Sequence, residues 1–538
     1  MKGEKPIALM IFLAAIVIIA CLALTRVSNK IGLPTLGLFI GLGMLLGSDG
    51  ILKIPFDDYN LAEQVCSVSL IFIMFYGGFG TNWKKAKSTA PVAVLLSTLG
   101  VVVTAALTGV FCRLVLRMEW TQSFLIGAVI SSTDAASVFS ILRSRKLNLK
   151  NNTASLLEVE SGSNDPFAYM MTITLLSIMD GRADGVMATI FMLVKQVAFG
   201  AIVGILMAYI GHFLLTKVRL GGTGNDSMLI FAVALLSYGG AAVIGGNGYL
   251  STYITGIMLG NMPIRRKKEL VHFFDGVTGL MQIFIFFLLG LLSFPSRLPR
   301  VALSGLLIAL FMTFVARPAA VFAIMSPFKC SFKQQLLVSW SGLRGAASIV
   351  FAIMATVESA FAPYQLFNTI FFIVLFSIII QGSLIPYVAK WLDMIDNDAD
   401  VMKTFSDYTE EIPVQFLKLT IDEKHPWANH ELRQIRMTPQ TRIALIVREG
   451  IQYTPNGMFK LRPGDTAVLS GPAFEGEKWG TLTEVNIGKE HEWYNRPLRA
   501  IQMEKNCAVA MIQRGTRTII PDGNTVLLDG DVVVINEG

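Results

Sequence analysis

The chain has 538 residues, 53% of them hydrophobic and only 15% charged, with a formal net charge of +7 and a positive mean hydropathy. An ordinary soluble domain carries about 25% charged residues, so most of this chain is expected to lie in lipid. Its Lys and Arg residues sit in short loops between apolar runs, where they set membrane topology rather than bind nucleic acid. Five scattered cysteines, Cys21, Cys66, Cys112, Cys330 and Cys507, have no metal-ligand spacing and read as small core residues.

Taken in chain order, apolar stretches long enough to cross about 30 Å of hydrocarbon fall near 7–25, 33–49, 61–79, 90–115, 121–142, 153–179, 187–214, 227–244, 249–262, 272–293, 300–325, 334–357 and 366–390. That count predicts thirteen transmembrane helices. Ile18-Ile19-Ala20-Cys21 resembles a lipoprotein cleavage box, but the stretch around it fits an uncleaved first span. Alternate loops carry the basic clusters Lys84, Lys85 and Lys87, then Arg143, Arg145, Lys146 and Lys150, then Arg265, Arg266, Lys267 and Lys268. The positive-inside rule places these loops in the cytoplasm, with the N-terminus outside and the C-terminus cytoplasmic.

After Trp391 the spans stop and Asp393, Asp396, Asp398 and Asp400 follow closely. The expected organisation is a membrane domain over 1–392, a linker over 393–412, a small α+β unit over 413–473, a second linker over 474–490 and a second unit over 491–538. The two units are internal repeats. His425-x-Trp427-x-Asn429-x-x-Leu432-Arg433 recurs as His491-x-Trp493-x-Asn495-x-x-Leu498-Arg499, and the same offset aligns Ala444-x-Ile446-x-Arg448 with Ala510-x-Ile512-x-Arg514 and Gly464-Asp465 with Gly530-Asp531. Alternating β-branched runs over 442–447, 466–469 and 532–535, bounded by Pro-Gly or Gly-Asp turns, predict strands.

Within the membrane part, Ser131-Ser132-Thr133-Asp134 and Ser339-Trp340-Ser341-Gly342-Leu343-Arg344-Gly345 crowd polar and small residues into apolar stretches. Backbone freed at membrane depth persists only where it lines a cavity or is buried in protein. Each segment lies in the middle stretch of a group of three, the pattern of inverted repeats with crossed, broken helices. In the sixth stretch, Glu158-Val-Glu160-Ser161-Gly-Ser-Asn164-Asp165-Pro166 brings three carboxylates into an apolar run. Asp165 lies about 18 Å along that helix and near mid-bilayer, with Ser161 and Glu158 on its face and Glu160 and Asn164 on the neighbouring stripe.

An ionised side chain near mid-bilayer costs roughly 2.5–3.5 kcal/mol and marks function by default. Carboxylate, hydroxyl, amide and freed carbonyls suit an alkali cation, and a carboxylate can exchange that cation for a proton. The alternatives are a structural Asp165–Arg344 bridge, and for Asp134 a helix-break stabiliser as readily as a ligand. Arg344 is best paired with Glu160 or Glu158, and Arg317, before Pro318, reads as a lipid or dimer contact. Asp275, Glu63 and Glu358 near span ends read as rim residues, and His212 as an interface residue. No nucleotide-binding Gly-rich loop and no nucleophile with a base partner is present, so an enzyme is not expected and transport would run on an ion gradient.

Thr133-Asp134, Glu160-Ser161 with Asn164-Asp165-Pro166, and Gly342-Leu343-Arg344-Gly345, in that order and spacing, resemble the sodium/proton-exchanger branch of the monovalent cation:proton antiporters, over roughly residues 5–392. The resemblance implies that Asp165 is the exchanged-ion carboxylate, with Asp134, Ser161 and Thr133 completing the site, a Glu160–Arg344 pair, and a homodimer. Asn164, where electrogenic relatives have a second Asp, implies electroneutral exchange of one cation for one proton. The 413–473 unit, with Leu461-x-x-Gly464-Asp465, is similar to the TrkA-C or RCK-C ligand-binding module, and the second unit to a divergent copy. Such modules accompany bacterial potassium/proton antiporters, which points to potassium and to a small, possible nucleotide, effector; no Rossmann half precedes them, so NAD control does not carry over.

The sequence therefore predicts a multi-pass inner-membrane potassium/proton antiporter without cofactor, transporting K⁺ or Na⁺ against H⁺ and regulated by its cytosolic modules. A sodium/proton antiporter is the alternative within the class. A ligand-gated cation channel is the alternative outside it, and lacks the expected filter loop.

Overall fold

The computed structural model describes residues 7–537 apart from 32–33, 146, 182–184, 218–222, 265, 359–363, 397–413, 424, 436, 438–440, 450, 473–480, 490, 502–506, 515–516 and 520. The chain divides into two compact units, Met1–Thr409 and Glu410–Gly538.

The first unit is helical. Seven helices among the described residues, Tyr59–Gly80, Ala90–Leu114, Val186–Lys217, Gly224–Val243, Lys267–Leu292, Pro295–Phe328 and Leu366–Trp391, are long and apolar enough to cross a bilayer. Each of the other stretches predicted from sequence also contains helix, some of it too short or too interrupted to meet that requirement. Three of the long helices contain a π-helical turn: Leu96–Gly100, Met312–Ala316 and Ser377–Gly382. Such turns often mark functional positions in helices. Here the second immediately precedes Arg317, and the third contains Ser377 and Gln381.

Two stretches are broken as their composition predicts. Trp120–Val129 and Ala135–Ser144 are separated at residues 130–134, and Phe332–Trp340 and Ala346–Glu358 at residues 341–345. The halves pack crosswise. Leu125, Ile126 and Val129 of one first half share a buried cluster with Ile349, Val350 and Phe351 of the other second half. Val138, Phe139 and Leu142 share a second cluster with Leu337 and Val338. Apolar packing thus forms on both sides of the crossing and leaves the polar breaks between the two layers.

Beyond Trp391 the chain pairs back onto the loop before helix Thr153–Met179. The backbone N–H of Lys150 donates to Met394 O at 2.9 Å, and that of Asp396 to Asn148 O at 3.0 Å. Lys150 Nζ meets Asp393 at 3.0 Å. Residues 393–396, expected to begin the linker, therefore belong to the membrane unit; Asp398 and Asp400 lie outside the described residues. Of the cysteines, Cys21, Cys66 and Cys112 are buried and Cys330 is half-buried.

The second unit contains two four-stranded antiparallel sheets. The first is built from β1 (Val414–Thr420), β2 (Arg442–Arg448), β3 (Ile451–Tyr453) and β4 (Thr466–Pro472); the second from β5 (Thr481–Ile487), β6 (Cys507–Arg514), β7 (Arg517–Ile519) and β8 (Asp531–Glu537). Their orders, β1-β4-β2-β3 and β5-β8-β6-β7, are equivalent, and β2 and β6 each carry a register irregularity at the same place, between Ile443 and Leu445 and between Val509 and Met511. β5 pairs along its length with β8, so the second of the two repeats starts by Thr481 and the expected 474–490 linker is overturned. Leu419 and Ile421 pack into the first core and Val485 and Ile487 into the second, which is the period-2 pattern of a half-buried strand.

The residues repeated between the two units are architectural. Asn429 and Asn495 take φ of 62° and 57°, and Gly464 and Gly530 take φ of 93° and 81°, left-handed values that Asn and Gly tolerate best. The guanidinium of Arg448 donates to both oxygens of Asp465 at 2.7 and 2.8 Å and to Lys460 O at 2.9 Å. Arg514 repeats this with Asp531 at 2.7 and 2.7 Å and with Val526 O at 2.8 Å.

Burial pushes the Asp465 carboxyl up, but the Arg448 guanidinium and the Arg462 N–H outweigh it and hold it below the usual range. At Asp531 the Arg514 guanidinium leads the same downward shift, against burial. Because the folded pKa lies below the unfolded one, this stabilisation is complete above the ordinary carboxylate value of about 4 and is lost as pH falls through the folded value. Pulse proteolysis of the tail in urea, on the whole protein in detergent, should give a midpoint flat above about pH 5 and falling below about pH 4. A midpoint unchanged down to pH 3 would contradict the role of the pairs.

Candidate functional site

Helix Thr153–Met179 carries the acidic segment between the two breaks. Glu158, Glu160, Asn164 and Asp165 are all buried, at 7%, 1%, 0% and 5% exposure. A cavity of about 70 Å³ is lined by Leu70, Ile73, Met74, Gly77, Ser132, Thr133, Asp134, Glu158, Ser161, Gly162, Asp165, Ala346 and Ala347. One water needs about 10–15 Å³ of such space, so the cavity has room for a cation and a few waters. The Ser132 hydroxyl donates to Asp165 Oδ1 in a short hydrogen bond. Pro166 has no N–H to give the Gly162 carbonyl, and Gly162 lines the cavity one turn from Asp165.

The first break is held by side chains that the sequence marked as ligands. Asp134 caps the following half-helix: its Oδ1 accepts from Ser137 N at 3.1 Å and its Oδ2 from the Ser137 hydroxyl at 2.6 Å. This is the bond pattern of an N-cap. The Ser161 hydroxyl donates to Thr133 O at 2.7 Å, and Asn164 Nδ2 donates to Thr133 Oγ1 at 2.5 Å. The two breaks are joined directly, since Asp134 N donates to Leu343 O at 2.8 Å. A Cβ at Gly345 would collide with the Asp134 carboxylate, so this position admits only glycine while the crossing is closed.

All five sequence-predicted site residues thus come together at the crossing. Asp165, Ser161, Thr133 and Asp134 reach the cavity, while Asn164 stands behind Thr133 and does not line it. Ser132 and Gly162, which sequence reasoning did not single out, are part of the wall. The signal for Ser132 was its place in the Ser-Ser-Thr-Asp break. That for Gly162 was its place four residues before Pro166.

The arginines correct two expectations. Glu160 pairs with Arg317, whose Nη2 lies 2.5 Å from Glu160 Oε1, both side chains being almost fully buried. Arg317 is therefore neither a lipid nor a dimer contact, and the expected Glu160–Arg344 pair is replaced. Arg344 instead directs Nη1 to Ser131 O and Ser132 O, each at 2.8 Å. These carbonyls are freed where the first half-helix ends, and a cation there also meets the negative end of the helix dipole. Its committed guanidinium is likewise not an Asp165 bridge. At the second break, Gln381 Nε2 donates to Trp340 O at 2.6 Å, and the Ser377 hydroxyl accepts from Arg344 N at 3.0 Å. Both come from the Ser377–Gly382 π turn, which explains that irregularity.

The arrangement is a buried carboxylate in a small cavity, at a crossing where Glu160 is paired with Arg317 and Asp134 accepts from Ser137. Residues 16–391 match the family described as sodium/hydrogen exchanger, transmembrane. Residues 482–535 match the TrkA-C domain, so the match falls on the second repeat, the one expected to be divergent. The chain is 34% identical over 455 residues to the K(+)/H(+) antiporter NhaP2 of Shewanella sp. (strain MR-4), covering 83% of this chain and 78% of that protein. It is 32% identical over 463 residues to the K(+)/H(+) antiporter NhaP of Alkalimonas amylolytica, covering 85% and 80%. The structure of the sodium proton antiporter MjNhaP1 of Methanocaldococcus jannaschii superposes with a TM-score of 0.62 at 24% identity, over 70% of this chain and all of that one. The chain belongs to the sodium/hydrogen exchanger family and is a multi-pass membrane antiporter rather than an enzyme or a channel.

Proposed function

We propose that this protein exchanges one K⁺ for one H⁺ at Asp165, electroneutrally, across a bacterial inner membrane. The observation that carries the reading is Asp165 itself, a buried carboxylate on the wall of a cavity between two broken helices. Protonated, it is neutral and can cross with the bundle. Ionised, it recruits a cation that restores neutrality, so empty and unneutralised crossings are disfavoured by the cost of moving charge through lipid. Asn164 next to it carries no charge, and Glu160 is neutralised by Arg317. One carboxylate then exchanges one proton for one cation. Potassium is favoured over sodium by the likeness to relatives named as K(+)/H(+) antiporters.

In this reading Asp165, Ser161, Thr133 and Asp134 form the ion site, with Asn164 positioning Thr133. The N-terminus is outside, the C-terminus is cytosolic, and the protein is a homodimer in lipid. The TrkA-C-like units regulate exchange through a small effector of nucleotide type. Since the repeated residues hold the sheets together, that effector would be read by residues that differ between the copies.

Dye-reported proton flux in proteoliposomes, with pulses of K⁺, Na⁺ and Li⁺, tests this. K⁺ should drive the largest flux, and an imposed potential should drive none at balanced ion gradients. An electrogenic cycle would respond to about 2.3 kcal/mol per charge per 100 mV. A chain ending at residue 402 should still exchange but lose control of its activation. Sodium preference, potential-driven flux or complete loss on truncation would each overturn the corresponding part.

A further inference from the structure

Asn247 is fully buried where three helices meet. Its backbone N–H donates to Gln196 O at 2.9 Å. Its side-chain Oδ1 accepts from Leu250 N at 3.0 Å as the N-cap of helix Gly248–Asn261, and its Nδ2 donates to Pro166 O at 2.9 Å. The Leu250 N–H requires an oxygen opposite it, which leaves the NH₂ end of the amide for Pro166. This last bond reaches the residue next to Asp165 from a helix that takes no part in the crossing.

The two ends of the bond are held by different neighbours. On the Asn247 side, a Cβ at Gly200 would meet Asn247 O at 2.8 Å and one at Gly246 would meet Gly200 N at 2.8 Å, while Cβ atoms at Gly256 and Gly260 would meet Phe75 O and Phe79 O. Helix Gly248–Asn261 is therefore packed backbone to backbone against Val186–Lys217 and Tyr59–Gly80, and surfaces packed so closely do not deform gradually. On the Pro166 side, helix Thr153–Met179 is tied to the first break by Ser132 on Asp165, Ser161 on Thr133 O and Asn164 on Thr133 Oγ1. Where the two sides meet, Gly162 lies against the Tyr253 ring, Pro166 against Asn247 and Tyr169 edge-on to Tyr249 with ring centroids 5.0 Å apart. The spacing of 162, 166 and 169 is that of one helix face. Ring contacts weaken gradually as two surfaces slip, whereas a hydrogen bond is directional and is lost beyond about 3.5 Å.

An antiporter presents its ion site to the two sides of the membrane in turn, as one group of helices moves against another. We propose that Asn247 is a positioning residue for this step: its amide holds the Pro166 carbonyl, and with it the Asp165 carboxylate, in the arrangement seen here, and the bond parts when the ion-bearing helix passes to its other position. This deepens the exchange reading and rests on it. Pro166 makes the hold effective, because the turn 162–166 lacks one internal hydrogen bond and is braced from outside instead. The bond touches neither cation nor proton, so it weights the two positions of the helix and leaves the stoichiometry unchanged.

The test compares the full-length chain with Asn247→Ser and Asn247→Thr in everted and in right-side-out vesicles, by K⁺-driven proton flux. Both replacements still cap the helix, and neither has an amide to reach Pro166. Apparent affinity on each face scales with the fraction of the protein whose site is open to that face. The half-saturating K⁺ concentration should therefore rise on one face and fall on the other, with their ratio changed about fivefold. Asn247→Ala, which loses the cap as well, should show the same ratio at a lower unfolding temperature in detergent. A merely structural role would move both constants in one direction.

Constants that stay at the wild-type values, that shift together, or that follow thermal stability rather than the loss of the amide would overturn the proposal. So would failure of both Asn247→Ser and Asn247→Thr to insert, since the bond would then serve the fold and not the cycle. Asp165→Asn in the same vesicles separates the two readings. Retained exchange there defeats the site assignment, whereas its loss together with unmoved constants in the Asn247 variants defeats only the positioning role.

Discussion

Asp165→Asn should abolish K⁺-driven proton flux while the protein still inserts and folds. The amide keeps the shape of the carboxylate, and the Ser132 hydroxyl can still find an oxygen to donate to. What is lost is the negative charge that the cation neutralises. An uncompensated cation in a buried site costs about 3–5 kcal/mol, so flux should drop by a factor on the order of 10² to 10⁴. Asp165→Glu retains the charge but displaces it by about one methylene, roughly 1.5 Å, and should exchange with weakened affinity. Proton flux in vesicles checks both, with thermal stability in detergent confirming the fold. Exchange by Asp165→Asn within tenfold of wild type would remove Asp165 from the centre of the mechanism.

The second large effect concerns stability. Arg317→Met should strongly destabilise the protein, because Glu160, at 1% exposure, would keep a buried charge without its partner. Breaking one side of a buried pair costs about 3–5 kcal/mol, a large part of a total that is about 5–15 kcal/mol for soluble domains. Glu160→Gln combined with Arg317→Met removes both charges and should recover most of the loss. A double-mutant cycle read by thermal unfolding gives the coupling directly. If Glu160 instead couples to Arg344 and not to Arg317, the pairing is wrong. Arg344→Met should show its own defect, since it leaves the Ser131 and Ser132 carbonyls without a donor at membrane depth.

Much of the membrane part was legible because lipid imposes simple rules. Apolar length predicts helix, so the predicted stretches and the helices agree to within a few residues even where half-helices intervene. Runs of Ser, Thr and Gly at membrane depth predict breaks, and the breaks fall at residues 130–134 and 341–345 as expected. The strands β2, β4 and β8 were visible as β-branched alternation. β5 was not, because only an apolar residue at every second position relates it to β1, with Ile421 and Ile487 the shared identity in that stretch. The alignment of identities that found the repeat therefore began too late, at His491.

What the sequence by itself determined is the class of the protein, the carboxylate-bearing apolar stretch that holds Asp165, and the two places where helices must give way. Each follows from local composition acting on a short segment. Only the tertiary structure decided the partners: Glu160 with Arg317, Arg344 with two carbonyls, Asp134 with Ser137, Asn164 with Thr133. Arg317 and Arg344 offer Glu160 the same charge, and sequence distance does not rank them. The choice is made by which guanidinium the crossing of the helices leaves beside the carboxylate and which it turns toward the freed ends of the backbone.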